Sequence, residues 1–166
     1  DTEISSQMLI FELEKYTIER AAKELNNLDN GVRTNHFVFH WLDYILWLNP
    51  PEAIKEIAEQ FSFINTSSVE HFMPQHPLSG DEHSSEWNEV LNTFGNLALI
   101  TPASNSRQNN SSPKEKAKIA KSKTPESLKY EIMMHIARTS EWNVEECKKH
   151  GLRMKELLAG YKTTQF

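Results

Sequence analysis

The chain has 166 residues, with 18 Lys and Arg against 23 Asp and Glu, and a formal net charge of −5. This length predicts one compact domain with a core of its own, and the low content of Gly (5) and Pro (7) excludes a collagen-like or low-complexity chain. The single cysteine, Cys147, excludes an internal disulfide framework and any zinc site that needs several cysteines.

Residues 1–61 predict a small helical bundle that leads into the rest of the chain. Apolar side chains recur at helical spacing over 3–28, and the polar run after them stops this helix. Residues 36–48 predict a second helix, strongly apolar and largely buried. Asn49 and the two prolines after it end that helix and start a short third one, which runs to about residue 60.

Residues 62–166 are the second part of the chain, and two short strands are predicted near its start. Val69–Met73 reads as a strand, and Pro74–Ser85 reads as a loop because it is rich in Pro, His, Gly, Ser and Asp. Asn96–Thr101 is the second strand candidate, entered through the turn at Gly95.

Helices fill the remainder of the second part. Ser84 or Ser85 caps a short helix around Trp87, whereas residues 104–112 show no apolar periodicity. We expect the last three helices at 113–122, 125–138 and 143–160, the final one capped by Asn143. The two parts predict an α+β fold that is mostly helical and forms one compact unit.

No segment predicts a membrane span. The longest apolar run, Phe37–Leu48, contains His40 and Asp43 and is too short to cross a bilayer. The N-terminus lacks a basic-then-apolar signal pattern, and one unpaired thiol fits a reducing compartment, so we expect a cytoplasmic protein with no membrane partner. The chain opens on Asp1 without Met, and we expect a processed product or a piece of something longer.

Charge is distributed unevenly along the chain. Residues 1–106 hold 5 basic and 16 acidic side chains, whereas residues 107–166 hold 13 and 7. The excess is densest where six basic residues stand against Glu115 alone: Arg107, Lys114, Lys116, Lys118, Lys121 and Lys123. A local positive field of this kind attracts a polyanion even when the net charge is negative. Charge alone favours the alternative, a solvated helix face or a loose lysine-rich loop.

One set of polar residues supplies the groups that phosphodiester hydrolysis needs. Glu70 directly precedes His71 at a predicted strand end, Asn96 follows 25 residues after His71, and Asn105 follows nine residues after Asn96. Histidine has a suitable pKa for a general base, and carboxylate and amide oxygens are hard ligands for Mg²⁺ or Mn²⁺.

The segments VEHFMPQ, FGNLALIT and ASNS resemble the HNH (His-Me finger, ββα-metal) nuclease motif. They are most similar to the variant at the C-terminus of GmrSD-type restriction endonucleases and related bacterial defence proteins. The resemblance extends from Val69 to the last helix, and residues 1–61 resemble the lead-in of that domain less specifically. It implies a short ββα-metal (HNH) core surrounded by helices.

The resemblance also implies roles for individual residues. His71 would be the general base, and Asn96 would orient it. Glu70 and Asn105 would be the protein ligands of Mg²⁺ or Mn²⁺, with Asn105 at the head of a helix. The longer spacing between His71 and Asn96 implies an inserted loop at 75–93.

The implied substrate is DNA, nicked one strand at a time. The basic stretch would contact DNA through Arg107, Lys114, Lys116, Lys118 and Lys121. The implied partner in the full-length protein is an N-terminal regulatory, NTPase or modification-sensing domain, and a homo-oligomer would allow two copies to act together. One departure concerns the last helix, where the family's Arg falls on His150.

Each of these residues has a simpler interpretation when taken alone. A Glu-His pair is common, Asn96 beside a glycine is typical of a turn, and Asn105 is typical of a helix cap. A zinc site of His71 with His76 and His83 lacks the close spacing that would support it. The joint order and spacing favour the nuclease; the alternative is a non-catalytic DNA- or protein-binding helical module with the same fold.

Overall fold

A two-stranded antiparallel sheet lies at the centre of the fold. The computed structural model describes residues 15–119 and 124–161. Strand β1 (Ser68–His71) pairs with β2 (Leu97–Ile100), with Ser68 opposite Ile100 and His71 opposite Leu97. Two strands alone are only marginally stable in water, so the helices that cover both faces stabilise this sheet.

Helices and short 3₁₀ turns precede the sheet. Helix α1 is described over 15–24, and Asn35 caps α2 by accepting a hydrogen bond from the backbone of Phe37. The elements in order are α1, 3₁₀ turns at Leu25–Asn27 and Gly31–Arg33, α2 (His36–Leu48), a 3₁₀ turn at Glu52–Ile54 and α3 (Lys55–Ala58). Asn49 is the C-terminal cap of α2.

Five helices follow β1. They are α4 (Ser85–Val90), α5 (Pro102–Gln108), α6 (Pro113–Ile119), α7 (Leu128–Thr139) and α8 (Val144–Gly160), with a 3₁₀ turn at Phe94–Asn96 before β2. All five are capped by a polar side chain that accepts from a backbone N–H in the first turn: Ser84, Thr101, Ser112, Ser127 and Asn143. None of the described helices is both long and apolar enough to cross a membrane.

The fold class is confirmed as mostly helical α+β with a small antiparallel sheet. Helix α5 had no apolar periodicity because its buried side chains, Ser104 and Gln108, are polar. Helix α7 begins three residues later than predicted, since Ser127 caps it and Glu126 turns away to the backbone of Thr101. Predicted helical residues at 3–14 and 120–122 lie outside the described residues.

The sheet separates two apolar clusters. Val69, Leu97 and Leu99 belong to the larger cluster, which also contains α2 side chains such as Phe39 and Leu42. Residues of β2 on the opposite face, Ala98 and Ile100, join a second cluster with Phe72, Met133 and Trp142. This alternation is that of a strand buried on both sides. The larger cluster therefore contains side chains from both the 1–61 segment and the remainder of the chain.

Helix α8 makes a backbone-to-backbone contact with the turn before β2. A Cβ atom on Gly95 would overlap the carbonyl oxygen of Cys147, and one on Gly151 would lie 3.0 Å from the Cα of Gly95. This approach requires glycine at position 95, and a Cβ at position 151 would be tight against the same backbone. The contact fixes the chain as it enters β2, one residue before Asn96.

Candidate active site

Glu70 and His71 occupy the last two positions of β1, and both are buried. Glu70 pairs with Ala98 across the sheet, and His71 pairs with Leu97. Because neighbouring residues of a strand point to opposite faces, Glu70 shares its face with Ser68, two residues earlier. The strand thus carries a carboxylate and an imidazole at the same end, on opposite faces.

The His71 ring is held by Asn92, a residue that the sequence did not predict for the site. The Nε2 atom of His71 lies 2.9 Å from Oδ1 of Asn92. Burial lowers the pKa of His71, and the hydrogen bond to Asn92 opposes that shift. A neutral imidazole is the form that can accept a proton.

Asn96 acts on the backbone rather than on the ring. Its side chain is fully buried, and its Oδ1 accepts from the N–H of Met73 at 2.8 Å. Its Nδ2 donates to the carbonyl oxygens of Met73 and Leu91, each at 3.0 Å. Asn96 therefore fixes the chain just past His71, and the contact expected between Asn96 and the imidazole is made by Asn92 instead.

Asn105 reaches the same strand from α5. Its Nδ2 donates to Oγ of Ser68 at 2.6 Å, so the start of the helix lies over the face of β1 that carries Glu70. The amide oxygen of Asn105 makes no hydrogen bond to the described residues. The structure thus brings Asn105 and Glu70 to one face of β1, although they are 35 positions apart in the sequence.

A network around Glu126 fixes the first turn of α5. Its carboxylate accepts from the backbone N–H of Thr101 at 2.9 Å and from the hydroxyl of Ser104 at 2.6 Å. A carboxylate at a helix N-terminus is favourable because it meets unpaired backbone N–H groups and the positive end of the helix dipole. This anchoring limits the positions that Asn105, one residue further along, can take.

Lys116 is the partner of Glu70, and the prediction that it contacts DNA is wrong for this structure. Its side chain is completely buried, and its Nζ donates to the Glu70 carboxylate and to the carbonyl oxygens of His71 (2.6 Å) and Phe72 (3.1 Å). Burial raises the pKa of Glu70 and lowers that of Lys116, and the ion pair opposes both shifts. The physical reason for the correction is that α6 turns this lysine inward, toward the end of β1.

The side chains on the Glu70 face of β1 offer donor atoms that suit a hard divalent cation. Glu70 offers carboxylate oxygens and Asn105 an amide oxygen, both preferred by Mg²⁺ and Mn²⁺. No cluster of three or more His, Cys, Asp or Glu that could hold a metal occurs in residues 15–119 and 124–161. His83 is engaged with the carbonyl oxygen of Pro74 at 2.7 Å, so the structure gives no support to a zinc site with His71 and His76.

A family model for the GmrSD restriction endonucleases, C-terminal domain, matches residues 16–157. The chain belongs to this family. No curated protein and no solved structure matches the chain. The resemblance to the GmrSD-type C-terminal domain, read from VEHFMPQ, FGNLALIT and ASNS, is confirmed, and the four motif residues, Glu70, His71, Asn96 and Asn105, lie inside the matched range.

Three of the predicted DNA-contacting residues are exposed on this GmrSD-type C-terminal domain. Arg107 lies at the end of α5, and Lys114 and Lys118 lie on α6. The Arg107 guanidinium donates to Oγ of Ser104 at 2.9 Å, which holds it near the first turn of α5. Lys121 lies outside the described residues. The exposed basic residues of this stretch are therefore carried by α5 and α6.

A buried lysine, Lys129, bonds to β2 opposite the end of β1. Lys129 of α7 is fully buried, donates to the carbonyl oxygen of Leu97 and lies 4.9 Å from the centre of the Phe94 ring. Burial lowers the pKa of Lys129 to about 7, and burial raises the pKa of Asp43, whose carboxylate accepts from the Lys129 backbone, to about 7. Since Leu97 pairs with His71, Lys129 holds the strand opposite the imidazole.

His150, which the resemblance aligned with an Arg of the family, lies on α8 and is buried. Neither ring nitrogen finds a hydrogen-bond partner in the described structure, and burial holds its pKa well below the ordinary value. Its ring lies edge-on to Trp142 at 5.7 Å. The side chain is therefore neutral and part of the core, and it supplies no positive charge to a ligand.

Proposed function

We propose that this domain is a metal-dependent DNA endonuclease that hydrolyses phosphodiester bonds one strand at a time. The observation that carries the proposal is that β1 ends in a carboxylate, Glu70, and a held imidazole, His71, while Asn105 bonds to Ser68 on the Glu70 face of the same strand. A general base beside hard metal ligands is the combination that metal-assisted hydrolysis requires. Family membership supports the same reaction class.

In the proposed reaction His71 takes a proton from water on its free ring nitrogen. The water oxygen then bonds to phosphorus, the bond from phosphorus to the 3′ oxygen breaks, and that oxygen leaves with the electron pair and takes a proton from solvent. Glu70 and Asn105 would hold Mg²⁺ or Mn²⁺, which supplies positive charge to the scissile phosphate when bound. Asn96 keeps the chain beyond His71 in place, and Arg107, Lys114 and Lys118 bind the DNA backbone next to the site.

The ion pair between Lys116 and Glu70 sets the electrostatics of this site. Lys116 keeps the buried carboxylate ionised without a metal, because an unpaired charge in that position would be expensive. Its ammonium group also repels an incoming divalent cation. Metal binding at Glu70 is therefore proposed to be weak until the DNA phosphate adds negative charge.

The same ion pair favours a second candidate function. Glu70 is buried and already neutralised by Lys116, which is how a carboxylate with a purely structural role would be held. A non-catalytic DNA- or protein-binding module with this fold would keep the exposed basic surface and lose metal dependence. Cleavage and binding assays separate the two candidates.

The proposed biological setting is bacterial anti-phage restriction. Family membership supports DNA as substrate and a separate N-terminal regulatory, NTPase or modification-sensing domain in the full-length protein. A single site of this kind nicks one strand, so double-strand cleavage would need two copies acting together.

The experiment that tests the function is nicking of supercoiled plasmid by the parent protein and two histidine variants. The parent should nick with Mg²⁺ or Mn²⁺ and not with EDTA. His71→Ala should lose about 10²- to 10⁴-fold in rate, the usual contribution of a general base. His76→Ala, an exposed histidine five residues on, should cleave like the parent. Equal rates for His71→Ala and the parent would refute the assignment, and a parent that binds DNA without cleaving it would favour the non-catalytic module.

Because His71 is buried, its replacement also removes packing. Thermal melting of both variants therefore accompanies the assay. A loss of cleavage counts for the general base when His71→Ala is folded at the assay temperature, and His71→Gln provides a variant of closer volume with no titrating ring.

A further inference from the structure

Two hydrogen-bond donors converge on the side-chain oxygen of Asn92. The Nε2 atom of His71 lies at 2.9 Å, and the Nε2 amide of Gln75 donates from 3.4 Å. The NH2 group of Gln75 can only donate, so this second contact agrees with the assignment of Oδ1 as the Asn92 atom that faces His71. An amide oxygen only accepts, so the ring nitrogen of His71 that faces it must carry a hydrogen.

This contact decides which nitrogen of the imidazole is free. A neutral imidazole has one protonated and one unprotonated nitrogen. With the hydrogen on Nε2, the lone pair is on Nδ1. Asn92 therefore selects the tautomer in which Nδ1 is the proton acceptor, and it also limits rotation of the ring.

Residues of the 1–61 segment, here called the lead-in segment, position the side chain of Asn92. Gly31 donates its backbone N–H to the carbonyl oxygen of Asn92 at 3.1 Å, and a Cβ on Gly31 would lie 2.8 Å from Oδ1 of Asn92. Gly31 also has φ of +55°, which favours glycine. Asp29 accepts from the N–H of Phe94 at 2.8 Å, so the lead-in holds both sides of the turn that carries Asn92.

Core packing does not account for the contact. Asn92 is exposed, and in the described structure its side-chain oxygen bonds only to His71 and Gln75. Asn96 donates to the carbonyl oxygen of Leu91, the residue that precedes Asn92, at 3.0 Å. Asn96 therefore bonds to the backbone around His71, and Asn92 bonds to the His71 ring.

We propose that Asn92 is the positioning residue of His71 and fixes its Nε2–H tautomer. Asn92 is itself held by its contacts with Gly31 of the lead-in segment, and these contacts form its seat. The proposal rests on the proposed nuclease function. Asn92 acts through His71 and does not touch the substrate. Its loss should lower kcat and leave KM for DNA nearly unchanged, since the cationic surface is intact.

The test combines ¹⁵N NMR of the His71 ring with single-strand nicking kinetics on three variants. Asn92→Leu is close in volume but has no acceptor, Asn92→Asp keeps an acceptor, and Asn88→Leu is an exposed control on α4. The parent and Asn88→Leu should show a protonated Nε2. Asn92→Leu should populate the other tautomer and lose about 10- to 100-fold in kcat, the scale of a misplaced catalytic group. Asn92→Asp should recover most of the loss.

Two results overturn the positioning role alone. One is a parent that cleaves DNA but carries its ring proton on Nδ1. The other is an Asn92→Leu protein that cleaves as fast as the parent. A parent that shows the expected Nε2 proton, shifted by Asn92→Leu, and cleaves no DNA refutes the nuclease function, and the positioning role falls with it. The NMR result thus tells the two failures apart.

Discussion

Removing the ammonium group of Lys116 should destabilise the protein through Glu70. In Lys116→Met the carboxylate remains buried and loses its ionic partner, and two backbone carbonyls of the β1 end lose a donor. Breaking a buried ion pair by removing one partner costs about 3–5 kcal/mol. That is a large part of the roughly 5–15 kcal/mol by which domains are usually stable. We expect a clearly lower urea midpoint for Lys116→Met, with Lys118→Met as the exposed control on the same helix.

The stability that Lys116→Met loses should depend on pH in a defined direction. Burial already raises the pKa of Glu70, and without Lys116 nothing opposes that shift. A carboxyl whose folded pKa lies above its unfolded value keeps its full stability below the unfolded pKa and loses it as the pH rises through the folded pKa. The deficit of Lys116→Met relative to the parent should therefore be larger at pH 8 than at pH 5.

A double-mutant cycle identifies Glu70 as the cause. In a Glu70→Gln background the carboxylate charge is absent, so Lys116→Met should cost much less than it does in the parent. Mn²⁺ should also raise the melting temperature of Lys116→Met more than that of the parent, because the cation no longer competes with the lysine. The reasoning is refuted if Lys116→Met unfolds at the parent's urea midpoint, or if its cost is the same with Glu70→Gln.

Three further expectations follow from the site and its supports. Gly95→Ala should cost roughly 3 kcal/mol in urea unfolding, since its methyl group would overlap the backbone of α8; an unchanged midpoint would contradict the close approach. Asn105→Ala should need more Mg²⁺ or Mn²⁺ for half-maximal cleavage than the parent or Asn110→Ala, and coincident metal titrations would remove Asn105 as a ligand. Replacing Lys114 and Lys118 together by Ala should reduce the slope of log K for DNA against log salt by about 2, and an unchanged slope would move the DNA contact to another surface.

The sequence was sufficient for the features that depend on local pattern. The span of α2 follows from its apolar run, and the caps Ser84 and Asn143 follow from side-chain chemistry near the chain itself. The order Glu70-His71, Asn96, Asn105 sufficed for the family, which is confirmed. These features need no knowledge of which distant segments meet.

Two of the three features that the sequence pattern did not predict depend on long-range contacts. Lys116 belongs to a lysine-rich run typical of a solvated face, and its burial makes sense only because Glu70, 46 residues earlier, neutralises it. Asn92 belongs to a turn-like segment, and only the folded chain brings it to His71. Helix α5 buries Ser104 and Gln108, so a search for apolar periodicity cannot find it.

The lead-in segment contributes to the candidate site as well as to the core. Asp29 accepts from the backbone of Phe94 and also pairs with Lys155 of α8 at 2.6 Å, so it joins the turn before β2 to the last helix. Gly31 lies against Asn92 in the same region. The proposed base, His71, must keep one ring nitrogen free and needs a rigid support, which comes from residues about 40 positions before its strand. Residues 62–166 alone would therefore lack both the seat of Asn92 and a large part of the cluster beneath β2, and the nuclease motif functions as proposed only together with the helices that precede it.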